Sequence, residues 1–175
     1  WAQNDMHEFL LFMIDTMHNS ISRHIKVRIS GIAETSRDQL AISCYKLLES
    51  VYDKEYSEVM DLFYGVYVST IRPKDSKKPV SQTPEMFFVL DLPIPLRTNP
   101  NPNPNPNIDL YDCFDLFTSP EMMEGENAWY NEKTKQKESV EKEYQFWNLP
   151  NILIIMLKRF HGDRKSTRLN SSHTD

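Results

Sequence analysis

The sequence predicts an α+β fold, and three observations carry that reading. Two stretches near the start place apolar residues at helical spacing. The period then changes to β-branched and aromatic runs, and a continuous apolar run from Ile152 to Leu157 follows late in the chain. Helices first, then strands with one short helix among them, is the order of an α+β chain rather than an alternating one. At 175 residues, 39% of them hydrophobic and 26% charged, the chain has about one domain's worth of residues with enough apolar side chains for a packed core.

In order, Met6, Leu10, Met13 or Ile14, Met17, Ile21 and Ile25 predict a helix from Gln3 to about Ile29, with Asp5 in its first turn and Gly31 as its stop. A second helix is expected from about Ser36 to Tyr52, its stripe being Leu40, Cys44 or Tyr45, Leu47, Leu48 and Val51. Ser36 with Gln39 has the pattern of a capping box there. Leu62 to Ile71 reads as a strand, Arg72 to Pro84 as a turn-rich segment, and Met86 to Leu92 as a second strand closed by Pro93-Ile94-Pro95. The Asn and Pro alternation of Asn99 to Asn107 has no apolar side chain to bury and reads as a solvated tether. Asp109 to Phe117 is a short helix ending before Pro120. Ala128-Trp129-Tyr130 and Tyr144-Gln145-Phe146-Trp147 read as strands flanking a charged hairpin, Asn131 to Glu143. Ile152 to Leu157 has the composition of a central strand buried on both faces.

Composition excludes several functions. The longest apolar run is far short of the ~20 residues of a membrane span, so no membrane partner is expected. The net charge of -5 with no basic stripe argues against nucleic acid. Two cysteines cannot build a disulfide framework or a four-cysteine zinc site, and such low usage suits the cytosol or nucleus. Trp1 opens the chain without a charged and apolar leader, so the sequence reads as a piece of something longer.

The residues offer no complete active site and call for no cofactor. Cys44 and Cys113 sit on apolar helix stripes, where cysteine behaves as a small hydrophobe. His7, His18 and His24 share one predicted helix with no i,i+4 pair among them, and His18 and His24 read as solvated. Four glycines are too few for a phosphate-cradling loop. One constellation remains: Asp5 and Glu8, at i,i+3, project from one face of the first helical turn. They suit either helix-dipole compensation or an acidic contact for a cationic peptide.

Those residues also carry a resemblance. Gln3-Asn4-Asp5-Met6-His7-Glu8-Phe9-Leu10 resembles the Gln/Asp box of ubiquitin-specific proteases. Phe63-Tyr64-Gly65 and Phe88-Val89-Leu90-Asp91-Leu92-Pro93-Ile94-Pro95 are similar to the family's fingers strands. Leu110-Tyr111-Asp112-Cys113-Phe114 follows, then Glu121 and Gly125-Glu126-Asn127. Leu149-Pro150-Asn151-Ile152 through Leu157-Lys158-Arg159-Phe160 resembles the family's Leu-Lys-Arg-Phe strand. These motifs stand in the family's order over residues 3–160.

The resemblance implies a papain-like cysteine protease shaped as a hand, which cleaves the bond after the C-terminal glycine of ubiquitin. By position, residues 1–60 correspond to thumb helices, 62–148 to the fingers, and 150–160 to the start of the palm. Asp5 and Glu8 correspond to contacts for ubiquitin's basic tail, and Gln3 to a support of that cleft. The expected partners are ubiquitin and ubiquitinated proteins. The family's nucleophile lies upstream of the Gln/Asp box and its histidine downstream of the Leu-Lys-Arg-Phe strand, with His161 too early for that role. No catalytic residue is therefore expected within the chain, which alone would be inactive. Many relatives also bind zinc through two Cys-x-x-Cys pairs in the fingers. Here Arg72 to Pro79 and Tyr130 to Thr134 hold no cysteine, and Asn131 and Thr134 stand at the ligand positions, so no metal is expected. A catalytically dead ubiquitin-binding scaffold with the same fold is the alternative, and an interaction domain that has left ubiquitin altogether is a third.

Asp163 to His173 can be encoded, in one frame, by a stretch resembling a widely used sequencing adapter. Residues 163–175 therefore read as foreign to the native protein. Without them 17 basic face 23 acidic residues, so the tail's basicity carries no functional meaning.

Overall fold

The computed structural model describes residues 6–74, 76, 78–95 and 108–159. The expectations for Gln3, Asp5, the Asn-Pro run and residues 160–175 lie outside the described residues. Three helices come first: α1 (Met6–Ile21), α2 (Ser36–Tyr52) and α3 (Glu58–Phe63). Strands β1 (Gly65–Pro73), β2 (Ser81–Phe87) and β3 (Val89–Pro93) precede α4 (Leu110–Thr118). Then follow β4 (Glu121–Met123), β5 (Trp129–Asn131), β6 (Gln136–Glu138), β7 (Val140–Asn148) and β8 (Ile154–Lys158).

The main sheet is antiparallel in the order β2-β1-β7-β4. Alternation along β1 sends Val66 and Val68 to one face, where they meet Leu40, Cys44, Leu47 and Leu48 of α2 together with Met86 and Trp147. Tyr67 points the other way, onto Phe87 and Phe146, Phe114 and Phe117 of α4, and Leu90 and Leu92 of β3. The aromatic rings interlock at centroid separations of 5.0 Å for Tyr67–Tyr144 and 5.1 Å for Phe117–Tyr144. A second sheet pairs β3 with β8 in parallel, Val89 opposite Ile154, and β5 pairs with β6 as a separate hairpin.

Several elements differ from the sequence expectation, each for a local reason. The first helix ends at Ile21 rather than near Ile29, after Thr16 and Ser20 hydroxyls have turned back onto the carbonyls of Phe12 and Thr16. Beyond it Arg23 bridges to Tyr56, both amides bonding at 2.8 Å. Gly31, expected to stop that helix, instead turns the following loop with φ +142°. The second helix starts at Ser36 as expected, but Thr35 and Asp38 form its capping box, one residue before the Ser36–Gln39 pair. Asp38 reaches back as a charged acceptor, and the Thr35 hydroxyl first of all lowers its carboxyl below the ordinary range.

Leu62 and Phe63 belong to α3, and the strand begins at Gly65. Residues 86–92 split at Phe88 into β2 and β3, which enter different sheets. The 128–130 strand pairs with β6, while Tyr144 to Trp147 belongs to β7, between β1 and β4. The last strand is half-buried rather than buried on both faces, and β3 is its one strand neighbour among the described residues. Its approach is fixed by Asn151, whose side-chain amide donates to the Asp61 carbonyl at 2.9 Å, and by the Ile152 amide on the Leu62 carbonyl at 2.8 Å.

The Arg23 crossing is an ionic tether as well as a backbone bridge. Its guanidinium donates to both Glu58 oxygens, at 3.0 and 2.5 Å, and lies 5.0 Å from the Tyr56 ring centroid. The Arg23 hydrogen bonds, foremost, hold the Glu58 carboxyl down at about 2 against an ordinary 4.5. A depressed carboxyl contributes fully above its ordinary range and loses that contribution as pH falls through its folded value. A carbon-detected NMR titration of Glu58 is thus expected to give a midpoint near 2. Arg23→Ala should return it toward 4.5; a midpoint unmoved by that change would show the tether has no electrostatic part.

Candidate functional site

The described part of the candidate site is built on α1. Glu8 lies in the helix's first turn and is exposed. Seven residues on, two helical turns, Asp15 falls on the same face. Glu8, Leu11, Phe12 and Asp15 form one wall of a cleft of about 400 Å³, and Tyr64 and Phe88 form the other. The two rings lie 5.3 Å apart between centroids with 30° between their planes. Burial, then the charges of Asp15 and Glu55, push the Tyr64 hydroxyl's pKa up, so it stays a neutral phenol at physiological pH. Asp15 accepts a hydrogen bond from the Asn19 amide at 3.1 Å. Two carboxylates beside two aromatic rings suit a cationic side chain on an extended peptide, by charge and apolar contact.

Around this cleft α1 keeps much of its apolar surface outside, with Met6 76% and Phe12 67% exposed. Its inward face instead rests on Ile14 and His18. His18, expected as a solvated residue, is buried, its Nδ1 hydrogen-bonded to Ser57 Oγ at 2.8 Å and its Nε2 4.0 Å from Glu55. The arrangement has the residue types of a nucleophile–base–acid relay, but Ser57 is 0% exposed and meets no substrate. It locks α1 to the turn before α3. His24 is exposed as expected, donating from Nδ1 to the Asp53 carbonyl at 2.8 Å.

Both thiols are buried, and desolvation pushes the Cys44 thiol up, away from the thiolate a nucleophile needs. Among the described residues no three His, Cys, Asp or Glu side chains gather to hold a metal. Both cysteines and the Ser57 hydroxyl beside His18 are thus closed off from solvent. Of the sequence-derived site residues, Gln3 and Asp5 lie outside the described residues and Glu8 lines the cleft. Asp15, Tyr64 and Phe88 were missed as site residues; the seven-residue spacing from Glu8 was the available signal for Asp15.

Helices at the start, a four-stranded antiparallel sheet and a parallel strand pair make an α+β architecture consistent with the papain-like fold of ubiquitin-specific proteases. The family profile described as Ubiquitin carboxyl-terminal hydrolase matches residues 1–174, and the chain belongs to that family. It is 31% identical over 166 residues to Ubiquitin carboxyl-terminal hydrolase 4 of Candida glabrata, covering 91% of this chain and 18% of that protein. It is 29% identical over 193 residues to Ubiquitin carboxyl-terminal hydrolase 21 of Bos taurus, covering 100% of this chain and 33% of the relative. The chain thus spans a third or less of the curated relatives it matches. Among solved structures, a chain of the SAGA DUB module bound to monoubiquitin is similar in fold, with a TM-score of 0.56 and 21% identity over 90% of this chain and 28% of that one.

Proposed function

We propose that this chain is the thumb, fingers and first palm strand of a deubiquitinating cysteine protease that hydrolyses the bond after ubiquitin's C-terminal glycine. Family membership over residues 1–174 is the observation that carries the reading. The exposed Glu8 carboxylate, in a cleft with a second carboxylate and two rings, supports a role in holding a cationic tail. Gln3, Asp5 and Glu8 are proposed to hold that tail together. The burial of Cys44 and Cys113 supports placing the nucleophile outside this chain, which by itself binds without cleaving. Residues 163–175 are proposed to be foreign on their adapter-like coding alone, although the family profile runs to residue 174, and the cytosol or nucleus to be the working compartment; among the described residues no helix is long and apolar enough to cross a membrane.

The test is an assay of the full-length protein on ubiquitin carrying a C-terminal fluorogenic amide. The proposal expects turnover by the full-length protein and none by residues 1–162 alone. Ubiquitin binding without turnover in the full-length protein would establish the dead scaffold instead, and absence of both would end the ubiquitin reading.

A further inference from the structure

We propose that the finger tip of this chain is held by a metal-free clasp, in which the Glu138 carboxylate grips Asn131 and Thr134. The β5–β6 hairpin turns through Lys135, whose φ of 58° lies in the left-handed region and whose amide donates to the Asn131 carbonyl at 2.7 Å. Asn131 and Thr134 have the spacing of a Cys-x-x-Cys pair, at the place where the resemblance implies zinc ligands. Their side chains converge on one group. The Asn131 amide donates to both Glu138 oxygens at 3.0 and 3.1 Å, and the Thr134 hydroxyl donates to Oε1 at 2.5 Å. The Asn131 carbonyl oxygen of the side chain accepts from the Lys133 amide at 2.9 Å, so both of its polar ends are engaged.

This donor set does not fit a structural zinc ion. It offers one carboxylate, one amide and one hydroxyl, whereas such sites are closed by four sulfur or imidazole nitrogen ligands. What it does fit is a charge-assisted hydrogen-bond clasp, with an acceptor-only carboxylate between neutral donors. The Thr134 and Asn131 hydrogen bonds hold the Glu138 carboxyl below its ordinary range, as expected for a group stabilised in its charged form. The clasp spans the hairpin's turn, and Lys137 extends it by donating to the Glu126 carbonyl at 2.9 Å. The hairpin so fixed walls a cleft of about 610 Å³ against the β1–β2 turn, with Trp129 and Tyr130 facing Pro73 and Val80. The clasp does for this wall what a bound ion does elsewhere, and without dependence on metal supply.

Hydrogen exchange of the full-length protein tests this without reference to catalysis. Glu138→Ala is expected to speed exchange of the Lys133 and Lys135 amides, which donate to the Asn131 side chain and carbonyl, about tenfold, the cost of one good hydrogen bond. Thr134→Val, close in shape, should give a smaller rise at the same amides, and Glu132→Ala none. EDTA should leave the unsubstituted hairpin unchanged. Unaltered exchange in both Glu138→Ala and Thr134→Val overturns the proposal. So does opening by EDTA, or stoichiometric zinc at the finger tip by elemental analysis.

Discussion

Glu8→Gln in the full-length protein is expected to weaken ubiquitin binding by about one to two orders of magnitude. Ubiquitin's tail is rich in arginine and must lie extended for its last glycine to reach a nucleophile. A charge-assisted hydrogen bond is worth about 1.5–3 kcal/mol, and each 1.4 kcal/mol is tenfold in affinity. The cleft supports the larger effect: Glu8 shares a wall with Asp15 and faces the Tyr64–Phe88 pair, so a cation there loses part of its water shell. Asp5→Asn is expected to act in the same direction, and the two losses need not add, because both carboxylates can share one cation. A carboxylate that only complements the helix dipole predicts another result, with stability falling by about 0.3–1 kcal/mol and affinity untouched. Calorimetric titration with ubiquitin, beside thermal melts of the same variants, separates the two. Unchanged affinity with a slightly lower melt would return Glu8 to the solvated face of a thumb helix.

Gly65→Ala is expected to destabilise the fold by about 1–3 kcal/mol, the usual cost of forcing atoms into a filled core. Backbone strain is not the reason, since Gly65 is not in the left-handed region. The reason is space. A Cβ at residue 65 would stand 2.5 Å from Cζ and 2.7 Å from Cε1 of Phe87, and 2.8 Å from the Asn148 carbonyl oxygen. The carbonyl belongs to β7 and cannot yield without disturbing the β1–β7 ladder at its bulge between Val66 and Tyr67. The Phe87 ring could yield, but it is part of the core with Leu90, Leu92 and Cys113. Chemical denaturation checks the loss. The double variant Gly65→Ala with Phe87→Leu provides the discriminating measurement. If the clash with the ring dominates, the smaller side chain makes the alanine less costly than in the native background. Equal costs in both backgrounds would place the whole penalty on the β7 carbonyl.

Much of this fold is legible where one pattern decides one element. The second helix is legible because Leu40, Cys44 or Tyr45, Leu47 and Leu48 repeat along one side, and Leu40, Cys44, Leu47 and Leu48 do meet β1. The aromatic and β-branched run of Leu62 to Ile71 marks a strand, which begins at Gly65. Elements decided by distant partners were harder to see. His18 occupies a periodic position after Ile14, but the hydroxyl that lets an imidazole be buried there is on Ser57, 39 residues away. The first helix keeps apolar residues at its period through Ile25, yet the Arg23–Tyr56 bridge takes that backbone. Strands β4 and β6 have three residues each, too few to display a period. The candidate site divides likewise: Asp5 and Glu8 are linked by local spacing, whereas Tyr64 and Phe88 reach Glu8 only through tertiary packing.

The parallel pairing of β3 with β8 has a consequence for how this protein assembles and how it can vary. Parallel neighbours need a long crossover, and here the connection runs through the whole of residues 94–153, including α4, β7 and the finger-tip hairpin. The ladder between Val89–Pro93 and Ile154–Lys158 can close only after that intervening chain has largely found its place, which puts it among the slower steps of folding. The same topology makes the connection permissive. Lengthening a loop within residues 94–153 costs only about 0.6 kcal/mol for each doubling of its length. Insertions and deletions can therefore accumulate in loops of that interval over generations while Leu90 and Leu92 keep the same partners, so divergence should be tolerated far more readily there than in the strands the loops separate.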